Sequence, residues 1–329
     1  MNAKLRRVLL VMVLGVALYG AYAVMSGLGR MQEALAHFQW ATFALACALA
    51  FGNYVLRYLR WEFYLAKLGV GGIGKGDSFL TFLSGFVLTV TPGKVGEVFK
   101  SVVLFQTHGV AVEKTAPIVV AERVTDLIGI IGLILLGSLG FSGGLLWAGL
   151  GATVVGMLLV VISSRRLSMA TISRIEAMPG PLGSLAPRLR EAYESLAVLV
   201  KPAHLFLPTL LALVAWALEC LSLWVIVLGF GAKAGVALCA FFYATSTLAG
   251  ALVPVPGGLG VTESALQQQL TNLGGVDPSA STAAMILVRF ATLWFAVFLG
   301  FVALSVLKRR HPTLLQGDEN VRTTSTPVP

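Results

Sequence analysis

The stretch Val90-Thr91-Pro92-Gly93-Lys94-Val95-Gly96-Glu97-Val98-Phe99-Lys100 has a counterpart in the second half of the chain, Val253-Pro254-Val255-Pro256-Gly257-Gly258-Leu259-Gly260-Val261-Thr262-Glu263. Each contains P-G-x-x-G followed by a glutamate. Each also ends an apolar run, Phe79 to Thr91 in the first copy and Phe241 to Val255 in the second, that is too short to cross a bilayer. Proline removes an amide donor and glycine admits backbone angles that stop a helix, so both copies read as broken helices.

The rest of the chain explains why broken helices should occur here. Of its 329 residues 57% are apolar and 12% are charged, against about a quarter charged in a soluble domain. The composition is that of an integral membrane protein, with room for roughly eight membrane segments at about 30 residues per span plus connections. A soluble enzyme is excluded. Lys and Arg outnumber Asp and Glu by 24 to 15, but the cations sit in short loops between apolar runs, which signals topology and not a nucleic-acid partner. Cys47, Cys220 and Cys239 stand singly inside apolar stretches and read as packing residues.

Full spans are expected at residues 8–29, 38–58, 116–138, 145–163, 204–229 and 280–307. The first follows Lys4, Arg6 and Arg7, which places the amino terminus in the cytoplasm; cleavage after Ala21-Tyr22-Ala23 as a signal peptide is the alternative. Arg57, Arg60, Lys67 and Lys75 read as a cytoplasmic basic cluster after the second span. Residues 165–201 form the longest polar connection, with six basic residues and a helix-like stretch from Pro187 to Val200 expected to lie against lipid headgroups. Residues 1–310 form one transmembrane domain, and the polar tail 311–329 reads as disordered and cytoplasmic.

The charge bias fixes how the broken segments run. If each enters and leaves on one face, eighteen Lys and Arg fall in the cytoplasm and two, Arg30 and Lys233, fall outside; if each crosses once, the split is twelve to eight. The lopsided division fits the positive-inside rule. The expected fold is therefore an all-α polytopic membrane protein with six full transmembrane helices, two broken re-entrant hairpins and both termini cytoplasmic. The hairpins then open from opposite faces, making the halves, about 38–138 and 204–307, inverted repeats. A shared spacing supports this: Glu97 precedes Arg123 by 26 residues, and Glu263 precedes Arg289 by 26.

Glu122, Arg123 and Asp126 fall in one otherwise apolar span, Glu219 in another and Arg289 in the last. Each costs several kcal/mol, on the order of 3, if it faces lipid, so each should face a partner or a wet cavity. Either an internal ion-pair network or a substrate or proton path would satisfy that demand. Broken helices expose backbone amides and a positive dipole end that can hold an anion, with Lys94, Lys100, Arg123 and Arg289 adding charge. The candidate binding or gating set is thus Pro92, Gly93, Lys94, Gly96, Glu97, Lys100, Glu122, Arg123, Asp126, Pro256, Gly257, Gly258, Gly260, Glu263 and Arg289. The four histidines are scattered, and no metal triad, G-x-S-x-G or nucleotide loop occurs, so no cofactor, metal or catalytic residue is expected.

Several of these features together resemble the transmembrane region of lysylphosphatidylglycerol synthases, whose stand-alone members are flippase-like integral membrane proteins. They are Arg60-Trp61, Pro92-Gly93-Lys94-Val95-Gly96-Glu97, Glu122-Arg123 with Asp126, and Pro256-Gly257-Gly258-Leu259-Gly260 with Glu263. The resemblance implies movement of an amphipathic lipid across a bacterial inner membrane. No aminoacyl-transferase domain follows Leu307, so synthesis of lysyl lipid by this chain is not expected. The cargo implied is a phospholipid, a polyprenyl phosphate or a hopanoid-type lipid. Two other readings stay open: a scaffold serving a separate lipid-modifying enzyme, and a lipid-modifying enzyme using Glu122 or Asp126 as a base.

Overall fold

The computed structural model describes residues 33–91, 96–138, 186–253 and 255–315, with isolated positions between 149 and 176. The expected spans at 8–29 and 145–163, the turn residues Pro92, Gly93 and Lys94, and nearly all of the tail lie outside the described residues. All regular structure among the described residues is helical. The helices are α1 (Trp40–Lys67), α2 (Lys75–Ser84), α3 (Phe99–His108), a single turn α4 (Val112–Thr115), α5 (Pro117–Ser138), α6 (Ala186–Leu199), α7 (Pro202–Gly229), α8 (Val236–Leu252), α9 (Val261–Asn272), α10 (Pro278–Arg289) and α11 (Phe295–Arg310). A π-helical segment, Phe290–Trp294, joins α10 to α11 without a break.

Among the described residues three helical runs are long and apolar enough to cross a membrane: Trp40–Lys67, Pro202–Gly229 and Pro278–Arg310. At 1.5 Å per residue they extend about 42, 42 and 50 Å, more than the roughly 30 Å of a hydrocarbon core. Helix α5 has 22 residues, enough for a crossing, but it carries Glu122, Arg123 and Asp126 in its first half.

Helices α1 and α7 pack antiparallel. Gln39 N–H donates to the Gly229 carbonyl at 3.0 Å, Ser222 Oγ to Ala46 O at 3.1 Å, and Asn53 Nδ2 to Ala215 O at 2.8 Å. Both partners' numbers change in step and in opposite directions, which only an antiparallel pair produces.

Each broken segment folds back on itself. In the first hairpin α2 continues as a 3-10 turn, Gly85–Leu88; a Cβ on Gly85 would lie 3.3 Å from Lys100 Cβ, and Thr89 Oγ1 meets Glu97 Oε1 at 3.4 Å. In the second, Thr245 Oγ1 donates to Gln269 Oε1 at 2.9 Å, and Gly250 packs so closely that a Cβ there would strike Thr262 Oγ1. The returning arms α3 and α9 have 10 and 12 residues, about 15 and 18 Å of helix, roughly half a hydrocarbon core. Short links join α1 to α2 and α7 to α8. Because α1 and α7 are antiparallel, the two hairpins open at opposite ends of that pair.

One expectation needs correction. Arg57 and Arg60 do not belong to a loop after the second span. Helix α1 continues past Tyr58 to Lys67 and buries them at 8% and 0% exposure. Arg57, Arg60, Trp61 and Tyr64 recur at helical spacing on one face, and the aromatic residues make that face a core face. The cytoplasmic tally of cations falls from eighteen to sixteen, which leaves the bias intact.

Candidate functional site

Four elements converge on a buried cluster of charges in the first half. Arg57 and Arg60 come from α1, Glu97 from the single 3-10 turn before α3, Lys100 from α3, and Glu122, Arg123 and Asp126 from the start of α5. Lys100 Nζ donates to Glu122 Oε2 at 2.6 Å and lies 4.6 Å from the Trp61 ring centre. Arg60 Nη1 donates to Asp126 Oδ1 at 2.7 Å and to Thr125 Oγ1 at 3.0 Å. Arg123 Nη2 donates to Glu97 Oε2 at 2.9 Å and lies 3.1 Å from Asp126 Oδ2. Arg57 Nη2 reaches the same Glu97 oxygen at 3.6 Å. These ions pair with one another in a setting where no single one could be left facing hydrocarbon.

The second half repeats part of this plan. Arg289 Nε donates to Glu263 Oε1 at 2.6 Å, and its Nη2 donates to the Gly257 carbonyl at 2.9 Å. Glu263 Oε2 accepts the Gly260 amide at 2.7 Å, closing the start of α9. Gly257, Gly258 and Gly260 all have positive φ, 62°, 68° and 86°, which is why glycine occupies these three positions of the break. So both Glu-to-Arg pairs separated by 26 residues are in contact.

The two breaks also touch. A Cβ on Gly257 would lie 3.3 Å from Val90 Cγ1, and Val90 packs with Leu293, Val297 and Leu259. Beside this junction, Tyr243 O–H donates to Glu219 Oε2 at 2.7 Å and approaches Thr292 Oγ1 at 3.3 Å. Tyr54 O–H donates to the Thr292 carbonyl at 2.6 Å, inside the π-helical segment, a distortion frequent at functional sites.

Of the expected residues, Glu97, Lys100, Glu122, Arg123 and Asp126 come together in the first cluster, with Gly96 alongside: its amide donates to Thr91 Oγ1 at 2.8 Å. Gly257, Gly260, Glu263 and Arg289 form the second cluster. Pro256 opens a 3-10 turn through Gly258. Arg57, Arg60, Tyr54 and Tyr243 were not in the expected set. The first two had a usable signal, since Arg57, Arg60, Trp61 and Tyr64 continue the helical period of α1. The tyrosines carry none, because an intramembrane tyrosine is ordinary packing unless its partner is known.

Antiparallel long helices, two helix-break-helix hairpins meeting tip to tip and ion pairs buried at each break define an all-helical, polytopic membrane protein built around an internal polar site. Comparison with known proteins agrees: residues 11–300 match the family described as "Lysylphosphatidylglycerol synthase TM region", and the chain belongs to that family. It is also 24% identical over 325 residues to a protein of Methanothermobacter thermautotrophicus described as "UPF0104 membrane protein", covering 90% of this chain and 94% of that one.

Proposed function

We propose that this protein moves an anionic or amphipathic lipid between membrane leaflets, its headgroup passing the junction of the two hairpins. In this reading six helices cross the bilayer, and the hairpins are re-entrant. The one around Pro92 opens to the cytoplasm and the one around Pro256 opens outside, in the inner membrane of a bacterium with both termini cytoplasmic. The observation that carries it is the pair of breaks meeting at Val90 and Gly257, each bearing a glutamate bound to an arginine 26 residues on. A dry lipid-facing bundle has no use for such charges, whereas a headgroup path needs charged groups that can exchange partners. Glu97 with Arg123 and Glu263 with Arg289 act as gates: each salt bridge closes its hairpin and opens when a headgroup takes over one member.

Reconstitution in liposomes with fluorescent phosphatidylglycerol in both leaflets, followed by quenching from outside, tests this. Wild type should expose inner-leaflet lipid, and Arg123→Ala and Arg289→Ala should slow that exposure by about tenfold or more. Variants that move lipid as fast as wild type would remove the gating roles. The exposed Arg188 and Arg190 on α6 favour a second reading, a scaffold that presents lipid to a separate modifying enzyme. It requires that the purified chain move no lipid at all.

A further inference from the structure

The first hairpin is held at its tip by Glu97 and at its open end by the chain that follows α11. Helix α11 stops at Arg310, and the next residues do not leave the surface: the Leu314 amide donates to the His311 carbonyl at 2.9 Å, a turn that lies across the mouth of the hairpin. Both arms are gripped there. On the outgoing arm, Arg310 Nη1 donates to Asp77 Oδ1 at 2.6 Å, and His311 Nε2 lies 3.3 Å from Asp77 Oδ2. On the returning arm, Gln106 Oε1 accepts the Leu315 amide at 3.1 Å, and the His108 and His311 ring centres are 5.7 Å apart. Leu314 is fully buried in one cluster with Val87 of the outgoing arm, Val103 of the returning arm, and Leu304 and Leu307 of α11.

The two arms use this strap differently. The outgoing arm lies directly on α11, so closely that a Cβ on Gly300 would sit 2.8 Å from the Val87 amide nitrogen. The strap ties the returning arm α3 to the same post, through Gln106 and Leu314. Its fastening is of a kind that can let go. The Arg310 and Asp77 side chains are 53% and 23% exposed, so water and salt weaken their attraction. Leu315 has φ 63°, the one positive value outside glycine among the described residues, and lifting the strap would relieve that strained backbone. The burial of Leu314 is left as the main hold.

We infer that residues 310–315 are an autoinhibitory strap, which when seated holds the returning arm of the first hairpin against α2 and α11 and when lifted lets α3 move away and open the mouth. This inference rests on the lipid-moving reading, in which the hairpin is a gate, and names what keeps that gate shut at rest.

The test places a cysteine at Val103, which is fully buried beside Leu314, in a full-length chain whose own three cysteines are replaced, and follows its reaction with a water-soluble maleimide in detergent. Reaction should be slow with the strap intact and about tenfold faster when Leu314→Ser is added. Arg310→Ser should speed it only about twofold, and Arg309→Ser, outside the grip, should leave it unchanged. In liposomes Leu314→Ser should move fluorescent phosphatidylglycerol several-fold faster than wild type.

A measurement on the wild-type chain runs beside this, independent of whether any variant folds. In hydrogen exchange read by mass spectrometry, peptides covering 311–315 and 104–108 should open together and well ahead of α1 and α7. A strap that exchanges only as slowly as α7, or a Val103→Cys thiol that Leu314→Ser leaves equally slow, would overturn the inference. Faster thiol reaction in a chain that moves no lipid, with or without Leu314→Ser, would keep the strap and remove the transport reading. Lipid movement by wild type that a loosened strap does not speed would keep the transport and overturn the strap's inhibitory role.

Discussion

Lys100→Met separates the scaffolding part of the buried cluster from its working part. Lys100 and Glu122 lie 2.6 Å apart with side chains 3% and 1% exposed, and the ammonium also lies over Trp61 and Phe82. Removing one member of a buried pair leaves the other charge without water or partner, a cost of about 3–5 kcal/mol. The loss of ring contacts adds about 1 kcal/mol. Buried Nε and Nη2 donors of Arg60 have no acceptor, and a modest rotation of Glu122 toward them would soften the loss, so about 3 kcal/mol is the expected destabilisation. The double variant Lys100→Met/Glu122→Met removes both charges and should regain most of it, as paired replacement by apolar residues generally does. Thermal unfolding in detergent, read by a thiol-reactive dye on buried Cys220 and Cys239, gives the three values. Were the double variant as unstable as the single, the pair would not be the reason these residues are charged. Were it stable but inactive in lipid movement, Lys100 and Glu122 would belong to the path and not to the frame.

Two further outcomes follow from the packing and the surface. Gly300→Ala and Gly137→Ala should each destabilise by about 1–3 kcal/mol, because a Cβ there would lie 2.8 Å from Val87 N and Ala237 O respectively, backbone atoms with no room to yield. Gly76→Ala, whose nearest neighbour is the Arg310 side chain at 3.7 Å, should change stability by less than about 0.5 kcal/mol in the same dye assay. At the open end of the first hairpin, burial and then the neighbouring His311 hold the His108 imidazole below its ordinary value of 6.5, while Asp77, bound to Arg310 and so held below 3.8, stays charged throughout. The folded state thus binds fewer protons at His108 than the unfolded one: the contribution is whole above 6.5 and drains as pH falls toward the lowered value. Midpoints measured from pH 7.5 to 5 should fall less steeply for His108→Gln than for wild type; equal slopes would assign the dependence to other groups.

Much of this architecture can be read from the residues because the bilayer is a severe solvent. The helices at 202–229 and 278–310, and the two breaks, follow from apolar length and from Pro and Gly alone. The Glu-to-Arg spacing of 26 is visible too, since two copies of one distance stand out. What is not legible is depth. Arg57 and Arg60 look like the basic flank that ends a span, and only their helical register with Trp61 and Tyr64 reveals that α1 carries them into the core. Which carboxylate each cation takes is likewise a matter of packing: Lys100 choosing Glu122, and Arg60 choosing Asp126, depends on how α1, α3 and α5 cross.

The central claim is that the two hairpins open to opposite sides of one membrane. Single cysteines at exposed Lys75, where the first hairpin begins, and exposed Asn272, where the second ends, can be introduced into a chain whose own three cysteines are replaced, then treated in intact cells with a membrane-impermeant maleimide. Asn272→Cys should react at once, and Lys75→Cys only after the membrane is opened. Reaction of both from outside, or of neither, would contradict the opposed hairpins and with them the lipid path between their tips.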